Sequence, residues 1–214
     1  MTSRERVLQT IAGKPTDRAP ADYGANKPVT DALIRKLGVA NYEELMKALH
    51  VDMRRICFSH EKPDTGPDAD GYKQTMWGIR HRGRNAADGF LDFLSPFTEG
   101  STVDDVHAHP WPDPTALDYS KVRERCETQH GEYVTYGAPW SPFFHEVGWL
   151  IGQEKFMISM HAKPEVVHAI LQHIGDYEVD VTRCFLEAAG AGCLTLPISG
   201  TISGHNGVCS FLPP

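Results

Sequence analysis

The chain has 214 residues, 41% of them apolar and 23% charged, with 21 basic against 28 acidic side chains and a formal charge of −7. That length buries a sizeable core, and the composition excludes a disordered, collagen-like or disulfide-dense chain. The negative balance disfavours a general nucleic-acid role, and no apolar run reaches the ~18–20 residues of a membrane span.

Met1 to Arg6 carries no apolar leader, so the expected location is the cytoplasm. Thr2 and Glu5 have capping-box spacing, Val7, Leu8 and Ile11 make an apolar stripe, and Gly13 ends the first predicted helix. A turn at Lys14 to Arg18 leads to a predicted buried strand from Ala19 to Tyr23, closed by Gly24. Helices are expected near 28–37 and 41–49, then a strand over 51–58, a polar loop at 59–71, and a hairpin arm over 72–82 that carries Trp77-Gly78. Asp113 as N-cap and Pro114 in the first helical position predict a helix running to about Thr128. A second strand is expected over 133–137 and helical structure over 142–160. Pro164 opens the longest helix, with Val166, Val167, Ile170, Leu171, Ile174, Tyr177, Val181, Phe185 and Ala188 on one face and Gly190 as cap. Strands alternating with helices over long connections predict an α/β fold with a parallel sheet. Five cysteines, at 57, 126, 184, 193 and 209, form no CxxC pair and are read as reduced thiols.

The punctuation resembles a known family. Arg4-Glu5-Arg6-Val7-Leu8 with Pro15-Thr16-Asp17-Arg18-Ala19-Pro20 is similar to the opening of uroporphyrinogen decarboxylase-like proteins. So are Trp77-Gly78, Pro110-Trp111-Pro112-Asp113-Pro114, Gly137-Ala138-Pro139-Trp140, and Gly152-Gln153-Glu154-Lys155-Phe156 with Pro164-Glu165 after it. The resemblance covers residues 4 to about 190. It implies a (β/α)8 TIM barrel with its site at the C-terminal ends of the strands. It also implies one of two chemistries. One is cofactor-free decarboxylation of uroporphyrinogen, and the other is methyl transfer between a corrinoid and a thiol or similar acceptor, using zinc.

Three departures favour methyl transfer. The arginine-rich stretch that grips substrate carboxylates in the decarboxylases is here Asp22-Tyr23-Gly24-Ala25-Asn26-Lys27-Pro28. Their catalytic aspartate follows a Phe-Ser pair, and here Phe58-Ser59 is followed by His60. Their tyrosine eight residues beyond the glycine of Gly-Ala-Pro-Trp is here His145, counting from Gly137. The expected parent is therefore a corrinoid-dependent methyltransferase whose barrel mouth docks a corrinoid protein or a small methyl donor or acceptor, with no membrane or nucleic-acid partner. The alternatives are uroporphyrinogen decarboxylase and a non-catalytic remnant.

Residues 1–190 are expected to supply roughly the N-terminal half of one barrel, since a whole barrel takes about 250 residues. From 191 to 214 the chain loses amphipathic period where the family enters a strand and an Asp-Asp-x-Gly-x-Gln motif. With synonymous codons chosen freely, a one-base shift re-reads residues 194 to 213 as Asp-Ile-Ala-Tyr-Ile-Gly-Asp-Asp-Phe-Gly-Thr-Gln-Arg-Cys-Leu-Leu-Phe-Ser-Pro. The expectation is a shifted reading frame from about 191–194 onward. The His-x-Cys pair and later Cys that hold zinc in the family fall beyond that point, so zinc ligands are expected to be absent from this chain. Cys193 and Cys209 then have no role.

Individual candidates follow. His60 and His145 come after strand-like segments, either as proton donors or corrinoid-facing contacts or as hydrogen-bonded surface histidines. Asp22 and Tyr23, at the end of the first strand, are expected to bind substrate, or else to cap or pack. Trp140 is expected at the cavity mouth or in packing. His107 and His109 have a spacing that a strand could aim at one metal, but they lie in a proline-rich loop and are read as surface residues. Trp111 is read as the anchor of that loop. His161, His168 and His173 are read as solvated, and Lys121 to Glu127 as a charged helix face.

Overall fold

A computed structural model describes residues 1–56, 66–82, 92–129, 131–137 and 143–190, and the backbone of 59–60. The chain divides into two compact units. The first comprises 1–58, 119–138 and 185–214, and the second 59–118 and 139–184. The tail from 191 lies outside the described residues.

The first unit opens with α1 (Ser3–Ile11). Both arms of its capping box form: Glu5 N–H donates to Thr2 Oγ1 and Thr2 N–H to Glu5 Oε2. Its stripe differs from the expected one, because Val7 is buried while Ile11 is 46% exposed, and Arg6 is buried instead. Arg6 has a specific duty. Its guanidinium grips Asp17 through Nε and Nη2 at 2.7 and 2.8 Å and reaches Asp52 at 2.5 Å. Arg18 holds both oxygens of Asp52, and the Ala21 N–H donates to Oδ2 at 2.8 Å. Buried charges persist only when paired and hydrogen-bonded. Asp52, fully buried, therefore latches the turn at 17–18 and the extended segment after it to the start of β1.

The segment 19–23, predicted as a buried strand, forms no strand and is not buried; it meets its neighbour through the Asp52 N–H to Ala21 carbonyl bond. Next come α2 (Lys27–Leu37) and α3 (Tyr42–Ala48), N-capped by Asn26 and Asn41. Leu45, Met46 and Val51 form a small core with Tyr23, Leu33 and Ile34 against it. β1 (Met53–Arg55) is shorter than the predicted 51–58.

In the second unit, β2 (Ser59–His60) interrupts the predicted loop. β3 (Lys73–Gln74), β4 (Arg80–Arg82) and β5 (Asp92–Leu94) form an antiparallel sheet; the predicted single hairpin arm over 72–82 is instead two strands joined by a turn at Trp77-Gly78. α4 (Val103–Ala108) has a capping box from Thr102 and Asp105. Asp113 and Pro114 start only a 3-10 turn, Pro114–Ala116, and not the helix expected to Thr128. β6 (Leu117–Asp118) follows at once and pairs antiparallel with β2, a long-range demand that overrides the local helix signal.

Back in the first unit, α5 (Val122–Gln129) buries Val122 and Cys126. β7 (Val134–Tyr136) runs parallel to β1 with Met53 opposite Val134 and Arg55 opposite Tyr136. Gly137 admits no side chain: an added Cβ would meet the Phe185 ring and, at 2.8 Å, the Ile56 carbonyl. Val7, Met53, Val134 and Tyr136 pack together, as do Ile56, Val122, Cys126, Phe185 and Ala189.

The predicted helix over 142–160 is two helices, α6 (Phe143–Ile151) and α7 (Gln153–Ala162). Gly152 separates them at φ +96°, a backbone state that side chains disfavour. α8 (Pro164–Ala189) matches the predicted long helix, and the Gly190 N–H closes it on the Leu186 carbonyl. Its residues to 184 belong to the second unit, where Val166, Ile170, Ile174, Tyr177 and Val181 are buried. Among the described residues no sheet exceeds three strands and no barrel closes. No described helix is long and apolar enough to cross a membrane.

Candidate functional site

The first unit contains a cavity of about 550 Å3 lined by the last residues of both parallel strands, Arg55 and Tyr136, together with Ile56, Asp22 and Tyr23. Tyr42, Glu43 and Met46 of α3 and Lys121, Glu124 and Arg125 near and on α5 complete the walls. Alternation along the strands sets the chemistry. Arg54 donates to Glu43 through Nε and Nη2, at 2.9 Å to Oε2 and 2.8 Å to Oε1, and lies 3.6 Å over the Tyr133 ring, so its charge is spent on structure. Arg55 and Tyr136, opposite each other in register, both line the cavity.

The Tyr136 O–H donates to Asp22 Oδ2 at 2.8 Å. Burial pushes the Tyr136 phenol well above its ordinary range, and the Asp22 charge and hydrogen bond push it further, with Arg55 acting the other way. Tyr136 thus remains a neutral donor. The Tyr23 hydroxyl is 3.0 Å from Thr30 Oγ1, which fixes its ring at the edge of Tyr42. The cavity offers the Asp22 carboxylate, the oriented Tyr23 and Tyr136 phenols and the Arg55 cation, with further charges from Glu124, Lys121 and Arg125 and apolar lining from Met46, Met53 and Ile56. That set suits a small polar molecule with an apolar body.

The second unit holds two further groups of titratable side chains. Glu146 of α6 is 8% exposed, and its Oε2 is buried without a hydrogen-bond donor, as is Oε2 of Glu178 on α8. Burial raises the Glu146 carboxyl to about 7. Burial, then the charge of Glu146, raises Glu178 to about 7. Elsewhere His107 Nδ1 lies 2.9 Å from His173 Nε2, and His173 stacks on Trp111 with ring centroids 4.7 Å apart. Burial, then the neighbouring His107, lowers the His173 pKa.

Of the predicted site residues, Asp22 and Tyr23 come together in the cavity. His145 is on α6 of the second unit, its ring edge-on to Phe144 and Trp149. The backbone of His60 pairs with Leu117, and its side chain lies outside the described residues, as does Trp140. Trp111 anchors its loop as expected, donating from Nε1 to the Val106 carbonyl at 2.8 Å. His173 is half-buried rather than fully solvated, stacked on Trp111 with His107 at its edge, and His107 sits in the last turn of α4 rather than in a loop. His109 meets the Trp77 carbonyl at 3.1 Å. Lys121, Glu124 and Arg125, read as a solvated face, line the cavity.

Sequence reasoning missed Arg55 and Tyr136, which end the observed strands but lie three and one residues inside the ends of the predicted ones; strand ends are the positions from which a barrel builds its site. It also missed Glu146, which stands beside His145 in an apolar run of α6. Among the described residues no group of three or more His, Cys, Asp or Glu side chains is gathered to hold a metal. The zinc that the resemblance implies thus finds no fitting donor set among them, and no chemical step is assigned to it. No family model, no curated protein and no solved structure matches the chain.

Proposed function

We propose that residues 1–190 are the N-terminal part of a corrinoid-dependent methyltransferase barrel of the uroporphyrinogen decarboxylase-like superfamily, acting in the cytoplasm. The cavity of the first unit is part of its small-molecule pocket. The observation that carries this reading is the meeting of Asp22 and Tyr23 with the ends of two parallel strands around one cavity. A (β/α)8 site is built from such strand ends. In this reading Asp22 accepts a hydrogen bond from the bound molecule through the oxygen not taken by Tyr136, Arg55 balances its charge, and Tyr23 and Tyr42 flank it. The resemblance alone, and not the cavity, makes His60 and His145 candidate proton-handling groups and Trp140 a candidate substrate contact. Zinc and the corrinoid enter from the resemblance alone. Against a porphyrinogen with many carboxylates speaks the absence of arginine from the stretch 22–28, where the resembled decarboxylases grip those groups, while Arg54 of the cavity wall is tied to Glu43.

The test begins with the gene, read across the codons for residues 185 to 214 and beyond. A one-base correction that opens onto Asp-Asp-x-Gly-x-Gln gives the protein to assay, with zinc, methylcobalamin and a thiol. Methyl transfer to the thiol is the expected result. Loss of carboxylates from uroporphyrinogen instead would replace the reading with decarboxylation. Neither reaction, in a zinc-loaded and folded protein, would leave a non-catalytic remnant.

A further inference from the structure

The last turn of α4 and the middle of α8 bring two imidazoles together from positions 66 residues apart: His107 Nδ1 and His173 Nε2 are separated by 2.9 Å, with ring centroids 5.2 Å apart. The rings meet head-on, so the contact is a hydrogen bond with one hydrogen between the two inner nitrogens. Proton counting then gives three states. In the neutral pair one ring donates and the other accepts. A first added proton goes to the outer nitrogen of the donor ring, and the bond persists as a charge-assisted one. A second added proton must go to the inner nitrogen of the acceptor ring. Two N–H groups cannot face each other across 2.9 Å, and two positive rings repel, so the contact is lost.

The surroundings decide which ring moves. His173 lies flat on Trp111, with centroids 4.7 Å and planes 9° apart. Trp111 is pinned by its bond to the Val106 carbonyl and meets the edge of buried Trp77, with centroids 6.2 Å apart. His173 is therefore clamped, whereas His107 is exposed and free to swing into water. The titratable groups around them are few. His109, in the loop after α4, donates to the Trp77 carbonyl and opposes a charge on His173. Asp176, one turn along α8 and bonded by Gln172, favours that charge. Tyr177 is kept neutral by burial. Asp104 stands three residues before His107 on α4, Asp105 is held in the capping box, and Asp113 is held by Thr115. Burial first, then the His107 charge, outweighs Asp176 and holds His173 below the ordinary histidine range. His173 is thus the acceptor ring that takes the second proton.

We propose that His107 and His173 are a proton-operated latch between α4 and α8, closed with up to one added proton on the pair and open with two. On acidification His107 swings out and the last turn of α4 loses this bond to α8. The latch shares no residue with the cavity and stands whether or not the methyltransferase reading does.

The test uses the full chain and nuclear magnetic resonance. Titration of the histidine ring Cε1–H signals from pH 8 to pH 4.5 should show the pair protonating in two steps, with His173 last. In His107→Gln the neutral side-chain amide accepts from or donates to either form of His173, so the His173 midpoint should rise by about half a unit or more. Amide protection from Val106 to His109 is the second readout. Corrected for intrinsic exchange, it should fall roughly tenfold in the wild type between pH 7.5 and pH 5, while that of Thr135 and Tyr136 in the first unit holds. In His107→Gln and His173→Gln the fall should be absent. The two-step titration is read on the wild type alone, so it decides the matter even where a variant alters stability. His107 and His173 titrating as independent rings, or a wild-type fall in α4 protection that survives in either variant, would overturn the proposal.

Discussion

Replacing Glu146 by glutamine isolates the cost of a buried charge. Folded, this carboxyl has a pKa of about 7 against an ordinary 4.5, with burial as the cause. Between pH 4.5 and 7 the native state keeps a proton that the unfolded chain has lost. The native state therefore binds more protons in that window, stability falls as pH rises through it, and the full penalty is reached above pH 7. At about 1.4 kcal/mol per pKa unit, the penalty is about 3 kcal/mol. Glutamine keeps the shape and removes the charge. It also removes the repulsion that Glu146 exerts on Glu178. The Glu146→Gln protein should therefore gain about 3 kcal/mol at pH 8, roughly 6–12 °C in Tm for a chain of this size. At pH 5, half a unit above the unfolded value, it should gain only about 1 kcal/mol. Urea titrations followed by tryptophan fluorescence at both values measure the difference. An equal effect at pH 5 and pH 8, whatever its sign, would show that Glu146 is not held protonated, and the argument from its unpartnered Oε2 would fail.

Asp52→Asn should cost about 3–5 kcal/mol, because it leaves Arg18 without its carboxylate and strips Arg6 of one of two. The hydrogen bonds to Asp52 from Arg18, Ala21, Ser3 and Arg6 outweigh the opposing effect of burial and depress its pKa below 3.8. Its stabilisation is thus present above pH 3.8 and lost as pH falls further, so the variant should unfold in acid with a flatter profile than the wild type. A change under about 1 kcal/mol in urea at pH 7 would mean the latch is ornamental. Gly137→Ala should destabilise by about 1–3 kcal/mol, since its new carbon meets backbone and a packed ring. Gly148→Ala should cost less, because its carbon meets only the mobile end of Gln153. Thermal melts of the two compare them directly, and the reverse order would refute the packing account.

Local chemistry was the legible part of this chain. The Thr2–Glu5 box and the period of α8 are written in residues three or four apart, and each formed where it was read; the asparagine caps of α2 and α3 are equally local but were not read. What could not be read depends on distant pairing. Asp113-Pro114 is a sound helix start, yet the chain turns into β6 because Leu117 and Asp118 are claimed by Ser59 and His60. His173 is only a polar interruption of a helix face until Trp111, 62 positions earlier, is known to cover it. Asp22 and Tyr23 were read from their place at the end of a predicted strand. Their companions Arg55 and Tyr136 end the observed strands, but the predicted ends lay three and one residues beyond them, which conceals which side chains close the strands. The motifs Arg4-Glu5-Arg6 and Asp17-Arg18 gained a structural meaning, since Arg6, Asp17 and Arg18 all meet at the Asp52 latch.

The latch also sets a timetable. Everything it ties together lies within the first 52 residues, so it can close as soon as that stretch has left the ribosome. β1 is then positioned long before β7, which begins about eighty residues later and takes roughly 4–16 s more to synthesise. During that interval one long edge of β1 has no strand beside it, which is an open invitation to another nascent chain. Arg54 is tied to Glu43, which is already made, so it is the Arg55 charge that guards that edge while it waits.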